Sequence, residues 1–248
     1  MKAILFPTYG SPDVLQLAEV EKPAPDENQV LINVVAASAN PLDWHRMRAE
    51  PFLVRMGDGF LKPKDPRLGA DIAGRVEAVG RNVTEFKPSD KVFGAIGAGG
   101  FAEYACTREK NVALKPANVS FEAAAAAPVV GYTAIQGFRY AGGIRAGQKV
   151  LVNGAAGGIG TFAVQYAKSC GAEVTGVCST RNVEMVRSIG ADDVIDYTRE
   201  DFTRTRHQYD LIYCAIGNRS AFDYRRALKP QGIASLPDLP PCRVYSGI

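Results

Sequence analysis

Glycines cluster between Gly154 and Gly160, and the residue types in this stretch are suited to binding an anion. Glycines in a tight turn let a phosphate approach bare backbone, and the N–H groups that open a following helix attract it. Against the dinucleotide-binding pattern G-x-G-x-x-G, Gly157 and Gly160 match, and Ala155 replaces the first glycine. The turn therefore predicts a dinucleotide site, with an ordinary glycine-rich turn as the alternative. The candidate cofactor-binding residues of the turn are Ala155, Ala156, Gly157, Gly158, Ile159 and Gly160.

To bind a phosphate in this way, the turn must connect the end of a strand to the start of a helix. We predict a strand over 149–153, a helix over 158–170 and a second strand over 173–178. About 20 residues past the turn, an NAD-binding fold places an acid, whereas an NADP-binding fold places Arg and small polar groups. This tip carries Ser179 and Arg181 and has no acid, which predicts NADPH as the cofactor. The alternative is that these two residues only begin the next helix.

The same alternation continues toward the C-terminus. We predict helices over 181–189 and 219–228 and strands over 193–196, 209–215 and 232–236, a pattern typical of a doubly wound parallel sheet. Five strands can be counted, because the prolines at 237, 240 and 241 exclude a sixth central strand. We therefore expect the sheet to lack its last strand and the tail, residues 237–248, to be disordered.

The N-terminal part of the chain has a different sequence pattern. Short strand-like runs between turn signals predict an all-β barrel or sandwich-like domain, with a short helix over Pro41–Arg48. Helix-favouring residues begin at Ser120, so we place the domain boundary near residue 119. Pro128, Gly131 and Gly137 are expected to interrupt or bend the helix-compatible run Val129–Arg139. The predicted strands are Lys2–Phe6, Val14–Val20, Gln29–Ala36, Ala73–Ala78, Lys91–Ala95, Phe101–Thr107 and Asn111–Leu114.

The composition argues against several classes of function. Lys and Arg exceed Asp and Glu by only 29 to 26, which gives no reason to expect nucleic acid or an anionic membrane as a partner. The uncharged stretch 150–167 is a poor membrane span because it contains several glycines. The five cysteines are widely spaced, which disfavours a disulfide framework and a cysteine-rich zinc site. The N-terminal apolar run is too short for a signal peptide, so we expect a cytoplasmic protein.

Longer motifs make the sequence resemble the zinc-independent quinone oxidoreductase (zeta-crystallin-like) branch of the medium-chain dehydrogenase/reductases. This resemblance implies an α/β protein with an N-terminal GroES-like β-barrel domain, residues 1–119, and an incomplete Rossmann domain, residues 120–248. It also implies hydride transfer from NADPH in the cleft between them. Because relatives continue through a sixth strand, the chain is expected to be C-terminally truncated. The motifs are N-G-A-A-G-G-I-G at 153–160, G-Y-T-A-I-Q-G at 131–137, G-G-F-A-E-Y at 99–104, A-N-P-L-D at 39–43, G-A-D-I-A-G-R-V at 69–76, P-S-D-K-V-F-G at 88–94 and Y-D-L-I-Y at 209–213.

The resemblance assigns roles to individual residues. Asn40 and Asp43 match the family's site loop, where Asn40 would orient the substrate or the nicotinamide carboxamide. His45 could donate a proton at neutral pH, or it could be a solvated helix residue. For Asp43, a structural role as a helix cap or ion-pair partner is the alternative to catalysis. Thr133 matches a threonine near the nicotinamide, and Tyr197 resembles a tyrosine beside the adenosine phosphate in NADPH-binding relatives.

Zinc-dependent relatives carry a cysteine near the position of Asn40 and a Gly-His-Glu where this chain has Gly69-Ala70-Asp71. A catalytic zinc would have to use His45, Asp43 and Asp71, and we predict no metal. Without a Lewis acid, the substrate should be electron-poor at the acceptor carbon.

These features together predict an NADPH-dependent oxidoreductase that transfers a hydride to a quinone or an α,β-unsaturated carbonyl. A catalytically idle NADPH-binding remnant of such an enzyme is the alternative, favoured by the ending of the chain and by Cys214, where many close relatives have Asp. The oligomeric state stays open, with a homodimer as one option.

Overall fold

The computed structural model describes residues 1–204, 208–235 and 244–245, and the chain divides into two compact units between Val129 and Val130. The division lies beyond the predicted boundary near residue 119. A short helix, Phe121–Ala125, stays with the first unit because Ala124 and Ala125 are buried against Ala73 of that unit's sheet.

The first unit is built on two antiparallel sheets, β1-β2 and β6-β3-β4-β5-β7. The seven predicted strands are all present, with ends that differ by at most three residues. The long strands β3 and β4 pair from Val30 opposite Val79, through two register shifts, to Ser38 directly across from Asp71. The larger core of this sheet includes Val30, Ile32 and Ile72, and Ala73 on the opposite face is covered by Phe121–Ala125. The elements are β1 (Lys2–Leu5), β2 (Gln16–Glu19), β3 (Gln29–Ser38), α1 (Pro41–Arg48), α2 (Val54–Asp58), β4 (Asp71–Val79), β5 (Lys91–Ala95), β6 (Tyr104–Arg108), β7 (Val112–Leu114) and α3 (Phe121–Ala125).

The second unit is a doubly wound sheet, as predicted. Strands β10, β9, β8, β11 and β12 lie in this order and are parallel. The run of Val150, Leu151 and Val152 is fully buried, as expected for a central parallel strand covered on both faces. The elements are α4 (Pro128–Tyr140), which begins just before the boundary, β8 (Lys149–Asn153), α5 (Gly158–Ser169), β9 (Glu173–Cys178), α6 (Val183–Ser188), β10 (Asp193–Asp196), β11 (Tyr209–Cys214), α7 (Ala221–Ala227), β12 (Leu228–Ser235) and β13 (Val244–Tyr245).

The edge beyond β12 is where the sequence predicted a missing strand. Within the described residues there is no sixth parallel strand, and Val244–Tyr245 instead pair antiparallel with Ala234 and Ile233. The rest of the tail for which we expected disorder, residues 237–243 and 246–248, lies outside the described residues.

Helix α4 is continuous from Pro128 to Tyr140, so the expected interruption at Gly131 and Gly137 is wrong. Pro128 occupies the first helical position, where its missing N–H is not needed. The two glycines allow close packing instead: a Cβ at Gly131 would lie 2.9 Å from the Phe162 ring, and one at Gly137 would lie 2.6 Å from the Tyr213 ring.

Candidate functional site

A groove of about 220 Å³ lies at the carboxyl ends of the parallel strands in the second unit. Strand β8 comes first in the chain among these strands, and β9 and β11 flank it on opposite sides. Ligands of open α/β sheets bind at such a switch point, where the order of the strands reverses. The groove is lined by Asn153, Gly154, Ala156, Gly157, Val177, Cys178, Ser179, Arg181, Asn182, Tyr197, Ile216 and Asn218.

The glycine turn opens the groove toward a helix N-terminus. Gly154 has a φ of +85°, which side-chain-bearing residues rarely adopt, and a Cβ at Gly160 would overlap the Gly154 carbonyl oxygen. Gly157 is the N-cap of the 12-residue helix α5, whose first N–H groups have no intrahelical partner. A Cβ at Gly157 would meet only that same carbonyl oxygen, at 3.5 Å, so this position is open. The turn therefore has room and N–H donors for a phosphate group.

The tip of β9 forms the polar rim of the groove. Ser179 precedes a 3-10 turn, Thr180–Asn182, and its side chain makes no capping bond with that turn's backbone. Its Oγ instead accepts a hydrogen bond from Asn182 Nδ2 at 3.3 Å. Arg181 lies in the 3-10 turn and is exposed, and no described carboxylate lies within 4.0 Å of its guanidinium. Its charge therefore remains available to an anionic ligand.

Tyr197 reaches the same rim from the end of β10. Its backbone N–H donates to the Cys178 carbonyl at 3.0 Å, which fixes the tyrosine beside the tip of β9. Its side chain is 55% exposed. Beneath the rim, the Thr180 hydroxyl donates to Asp196 Oδ2 at 2.5 Å and ties the 3-10 turn to β10.

The groove brings together some of the predicted cofactor residues and excludes others. Ala156, Gly157, Ser179, Arg181 and Tyr197 line it, whereas the remaining predicted positions do not. Ala155 is fully buried in the core, and the carbonyl of Thr133 accepts a hydrogen bond from the Tyr213 hydroxyl at 3.2 Å. The predicted residues outside the lining are Thr133, Ala155, Gly158, Ile159 and Gly160.

In the first unit, Asn40 and Asp43 open helix α1. Pro41 is its first residue, and Asn40 is its N-cap. The Asn40 backbone N–H donates to Asp43 Oδ2 at 2.8 Å, and the Gly69 N–H donates to Asp43 Oδ1 at 2.9 Å. Both carboxylate oxygens of buried Asp43 therefore accept backbone bonds, which is the structural role that the sequence analysis offered as its alternative.

The carboxamide of Asn40 is held by a buried carboxylate. Asn40 Nδ2 lies 3.1 Å from Asp71 Oδ2, and the Ser38 hydroxyl donates to the same oxygen at 3.3 Å. Asp71 is fully buried and also accepts the Val129 N–H at 3.1 and 3.2 Å. Burial raises the pKa of Asp71 above its usual value, and nearby Asp43 adds to the rise, while these hydrogen bonds oppose it.

His45 lies one turn further along α1. Its Nδ1 is 2.6 Å from the Glu50 carbonyl oxygen, so it donates to that carbonyl and Nε2 faces elsewhere. Its ring stacks on Trp44 with the centroids 3.9 Å apart. Among the described residues, no three His, Cys, Asp or Glu side chains are grouped so as to hold a metal ion. His45, Asp43 and Asp71 are therefore not brought together as a ligand set.

Sequence reasoning missed several residues of both sites. It considered Asp71 only as a metal ligand and did not select Ser38, although each is a polar residue at the end of a long β-strand. In the second unit it missed Asn153, Asn182, Ile216 and Asn218. A signal existed for Asn153, because it is a polar residue that ends an otherwise apolar buried strand.

Comparison with known proteins agrees with this architecture. Residues 26–117 match the family model described as Alcohol dehydrogenase GroES-like domain, and residues 158–236 match the one described as Zinc-binding dehydrogenase. The chain is 40% identical over 233 residues to a 2-methylene-furan-3-one reductase of Solanum lycopersicum, covering 88% of this chain and 57% of that protein. It is 38% identical over 232 residues to a chloroplast envelope quinone oxidoreductase homolog of Arabidopsis thaliana, covering 88% and 69%.

A solved structure shares the fold. Escherichia coli quinone oxidoreductase complexed with NADPH superposes with a TM-score of 0.80 at 28% sequence identity, covering 94% of this chain and 72% of that one. The chain therefore belongs to the quinone oxidoreductase branch of the medium-chain dehydrogenase/reductases, as the sequence motifs predicted. It spans 57% of the length of the tomato relative. Among the described residues, no helix has the length and apolar character needed to cross a membrane.

Proposed function

We propose that this protein is an NADPH-dependent oxidoreductase that reduces quinones or α,β-unsaturated carbonyl compounds without zinc. The observation that carries the proposal is the groove at the switch point of the second unit. A glycine turn, a helix N-terminus and an arginine that no described carboxylate pairs with line this one cavity. These groups fit a dinucleotide that carries phosphates. The relatives named above as a reductase and a quinone oxidoreductase support the substrate class.

The preference for NADPH over NADH is proposed from the tip of β9. Ser179 and Arg181 can donate hydrogen bonds to a 2′-phosphate, and Tyr197 and Asn182 flank them. Bonds from a charged donor to a phosphate are worth about 1.5–3 kcal/mol each. NADPH would supply the hydride when bound, and the chain's own residues would hold the cofactor and orient the acceptor.

The first unit contributes Asn40 and His45 as proposed catalytic residues. With both N–H groups of Nδ2 held by Asp71 and Ser38, the Asn40 carboxamide has a fixed orientation in which its Oδ1 can accept a hydrogen bond, as from the NH2 of the nicotinamide carboxamide or a hydroxyl of the substrate. His45 donates through Nδ1 to the Glu50 carbonyl, so Nε2 is the atom that could pass a proton to a reduced quinone or enolate, and it carries that proton only when the ring is doubly protonated. Asp43, with both oxygens on backbone N–H groups, would act only by positioning the start of α1.

The absence of zinc is proposed from the residue types at the ligand positions. Asn40 and Ala70 stand where zinc-dependent relatives have Cys and His, and neither side chain is a zinc ligand of the usual kind. Substrates should therefore carry an electron-poor acceptor carbon, as quinones, enals and enones do.

The experiment is a set of titrations and turnover assays on the purified full chain. We expect NADPH to bind at least tenfold more tightly than NADH, and its absorbance to fall when quinones or enones are added, with no loss of rate in a chelator. Binding without turnover on any acceptor would leave the idle remnant as the function. Stoichiometric bound zinc needed for activity, or no binding of either cofactor, would contradict the proposal.

A further inference from the structure

The side chain of Asn153 forms part of the groove but belongs to the strand beneath it. Asn153 ends β8, where the three preceding residues are fully buried and apolar, and it is itself 3% exposed. A buried amide that makes no hydrogen bonds destabilises the folded state, so the partners of this side chain matter. All of them belong to the segment that follows β11.

The Asn153 amide holds the turn formed by residues 215–219. Its Nδ2 donates to the Ile216 carbonyl at 2.9 Å and to Asn218 Oδ1 at 2.9 Å, and the Tyr224 hydroxyl lies 3.4 Å away. The Ala215 N–H donates to the Asn153 carbonyl at 3.0 Å. Of the described backbone–backbone hydrogen bonds, this is the one that reaches residues 215–219. Asn153 is therefore one anchor of the turn. The Tyr224 hydroxyl also donates to the Ile216 carbonyl at 3.4 Å, and Arg219 pairs with Asp201 at 3.6 Å.

This turn forms the wall of the groove opposite the polar rim. Ile216 and Asn218 line the groove from β11, whereas Ser179 and Arg181 line it from β9, on the other side of β8. Ile216 packs directly on the glycine turn, since a Cβ at Gly154 would lie 2.8 Å from Ile216 Cγ1. Loss of the anchor would free this wall, and a ligand would then have to order it on binding.

We infer that Asn153 is a positioning residue for cofactor binding, which acts by holding the 215–219 turn as the second wall of the groove. The inference rests on the proposed function only in taking the groove to be the nicotinamide cofactor site. Because Ile216 and Asn218, the residues of this turn that line the groove, are neutral and lie across the groove from Arg181, Asn153 should strengthen the binding of NADPH and NADH by the same factor. Arg181 should discriminate between them.

The test measures the Kd of NADPH and of NADH for the wild type, Asn153→Ala, Asn218→Ala and the double variant, with hydrogen exchange of residues 215–219 in the free chains. We expect Asn153→Ala to weaken both cofactors about tenfold, which corresponds to about 1.4 kcal/mol. Asn218→Ala should weaken both less, and the double variant should bind no worse than Asn153→Ala, since both changes act on one turn. Exchange of the 215–219 amides should speed up in each variant.

The matched control breaks an asparagine pair outside the groove. Asn82 Nδ2 donates to Asn28 Oδ1 at 3.1 Å in the first unit, and Asn82→Ala should leave both dissociation constants unchanged. If Asn153→Ala folds poorly, the cofactor binding of Asn218→Ala alone tests the inference. Asn218 is exposed, so its replacement should not disturb folding. Unchanged binding in Asn218→Ala, or weakening of NADPH alone, would overturn the inference. So would a wild type that binds neither cofactor, whereas cofactor binding without quinone turnover defeats only the proposed reaction.

Discussion

Arg181 carries a charge that no described carboxylate neutralises, on the rim of a groove that also contains helix N–H donors. An exposed cation is well hydrated, so its contribution to ligand binding depends on the group that it contacts in the bound state. A phosphate group on the ribose would form the strongest interaction with the Arg181 guanidinium, because the two groups match in charge and in hydrogen-bond geometry.

We predict that Arg181→Ala weakens NADPH binding about tenfold or more and leaves NADH binding within about twofold, because one charge-assisted bond is worth about 1.5–3 kcal/mol. Titration calorimetry with both cofactors measures this. Arg187→Ala is the matched control, since Arg187 is an exposed arginine that pairs with Glu184 on α6 and does not line the groove. Equal losses for NADPH in the two variants would show that only net charge matters.

Asp71 presents the opposite electrostatic situation, a carboxylate fully buried among neutral donors. Because burial raises its pKa in the folded chain, its contribution to stability is present below the pKa of the unfolded chain and is lost as pH rises through the folded pKa. The free energy of unfolding of the wild type minus that of Asp71→Asn should therefore increase as pH falls from about 7 to about 4. Denaturant titrations at several pH values measure this difference.

Asp192 supplies the control with the opposite sign. Burial opposes its ionisation, yet the Lys168 ammonium and the Val174 N–H outweigh it and hold the pKa of Asp192 below its usual value. Its contribution is present above the pKa of the unfolded chain and is lost as pH falls through the folded pKa. The wild type minus Asp192→Asn difference should therefore shrink at acid pH. Parallel slopes for Asp71→Asn and Asp192→Asn would contradict our account of Asp71.

At the scale of elements, hydrophobic patterning was enough to predict the parallel strands. The predicted ranges 149–153, 173–178 and 193–196 agree with β8, β9 and β10 because these runs are short, apolar and flanked by turn residues. The turn that closes the groove was not predictable in this way. Its bonds to Asn153 join residues separated by more than 60 positions, so no local pattern records them.

Helix α4 shows why local signals also misled. Glycine weakens an isolated helix, and the sequence therefore predicted an interruption or a bend at Gly131 and Gly137, of which the interruption is absent. In the folded chain these positions bring α4 close to Phe162 and Tyr213, and packing outweighs propensity. The Tyr213 ring in turn packs at a tilt against Phe138 of the same helix, with the ring centroids 4.6 Å apart.

We predict that Gly137→Ala lowers the free energy of unfolding by about 1–3 kcal/mol, because the added methyl overlaps a buried tyrosine ring in a dense core. Gly57→Ala is the matched control. Gly57 lies in α2 with no atom within 4 Å of its would-be Cβ, and the change should stabilise the chain by about 0.5–1 kcal/mol. Thermal or urea unfolding of both variants gives the answer. A stabilising Gly137→Ala would mean that Tyr213 moves aside without loss.

At the scale of the whole molecule, the two units have separate hydrophobic cores. Val30 and Ile32 lie in the core of the first unit, and Val150, Val164 and Leu211 lie in that of the second. The proposed cofactor groove is lined entirely by residues of the second unit. Cofactor binding should therefore stabilise the parallel sheet of the second unit directly.

We predict that NADPH at 100 times its Kd stabilises this sheet by about 2.7 kcal/mol, because it binds the folded unit and not the unfolded chain. Hydrogen exchange of amides in β8, β9 and β11 should slow accordingly. The amides of β3 and β4 in the first unit provide the internal comparison, and they should slow equally only if both units unfold together. Protection confined to β3 and β4 would place the cofactor elsewhere.

The cysteines of the two units differ in burial, so their reaction with a thiol reagent can report local unfolding. Burial raises the pKa of Cys214 to about 12, and burial also raises that of Cys106, so neither thiol is ionised to a useful extent at neutral pH. Cys106 belongs to β6 of the first unit and Cys214 to β11 of the second. An alkylating reagent should modify buried Cys214 at the pace at which β11 becomes exposed, whereas partly buried Cys106 should react without unfolding of β6, and peptide mass spectrometry would separate the two rates. Buried Cys178 and Cys214 thus let the unaltered chain report how often the second unit opens.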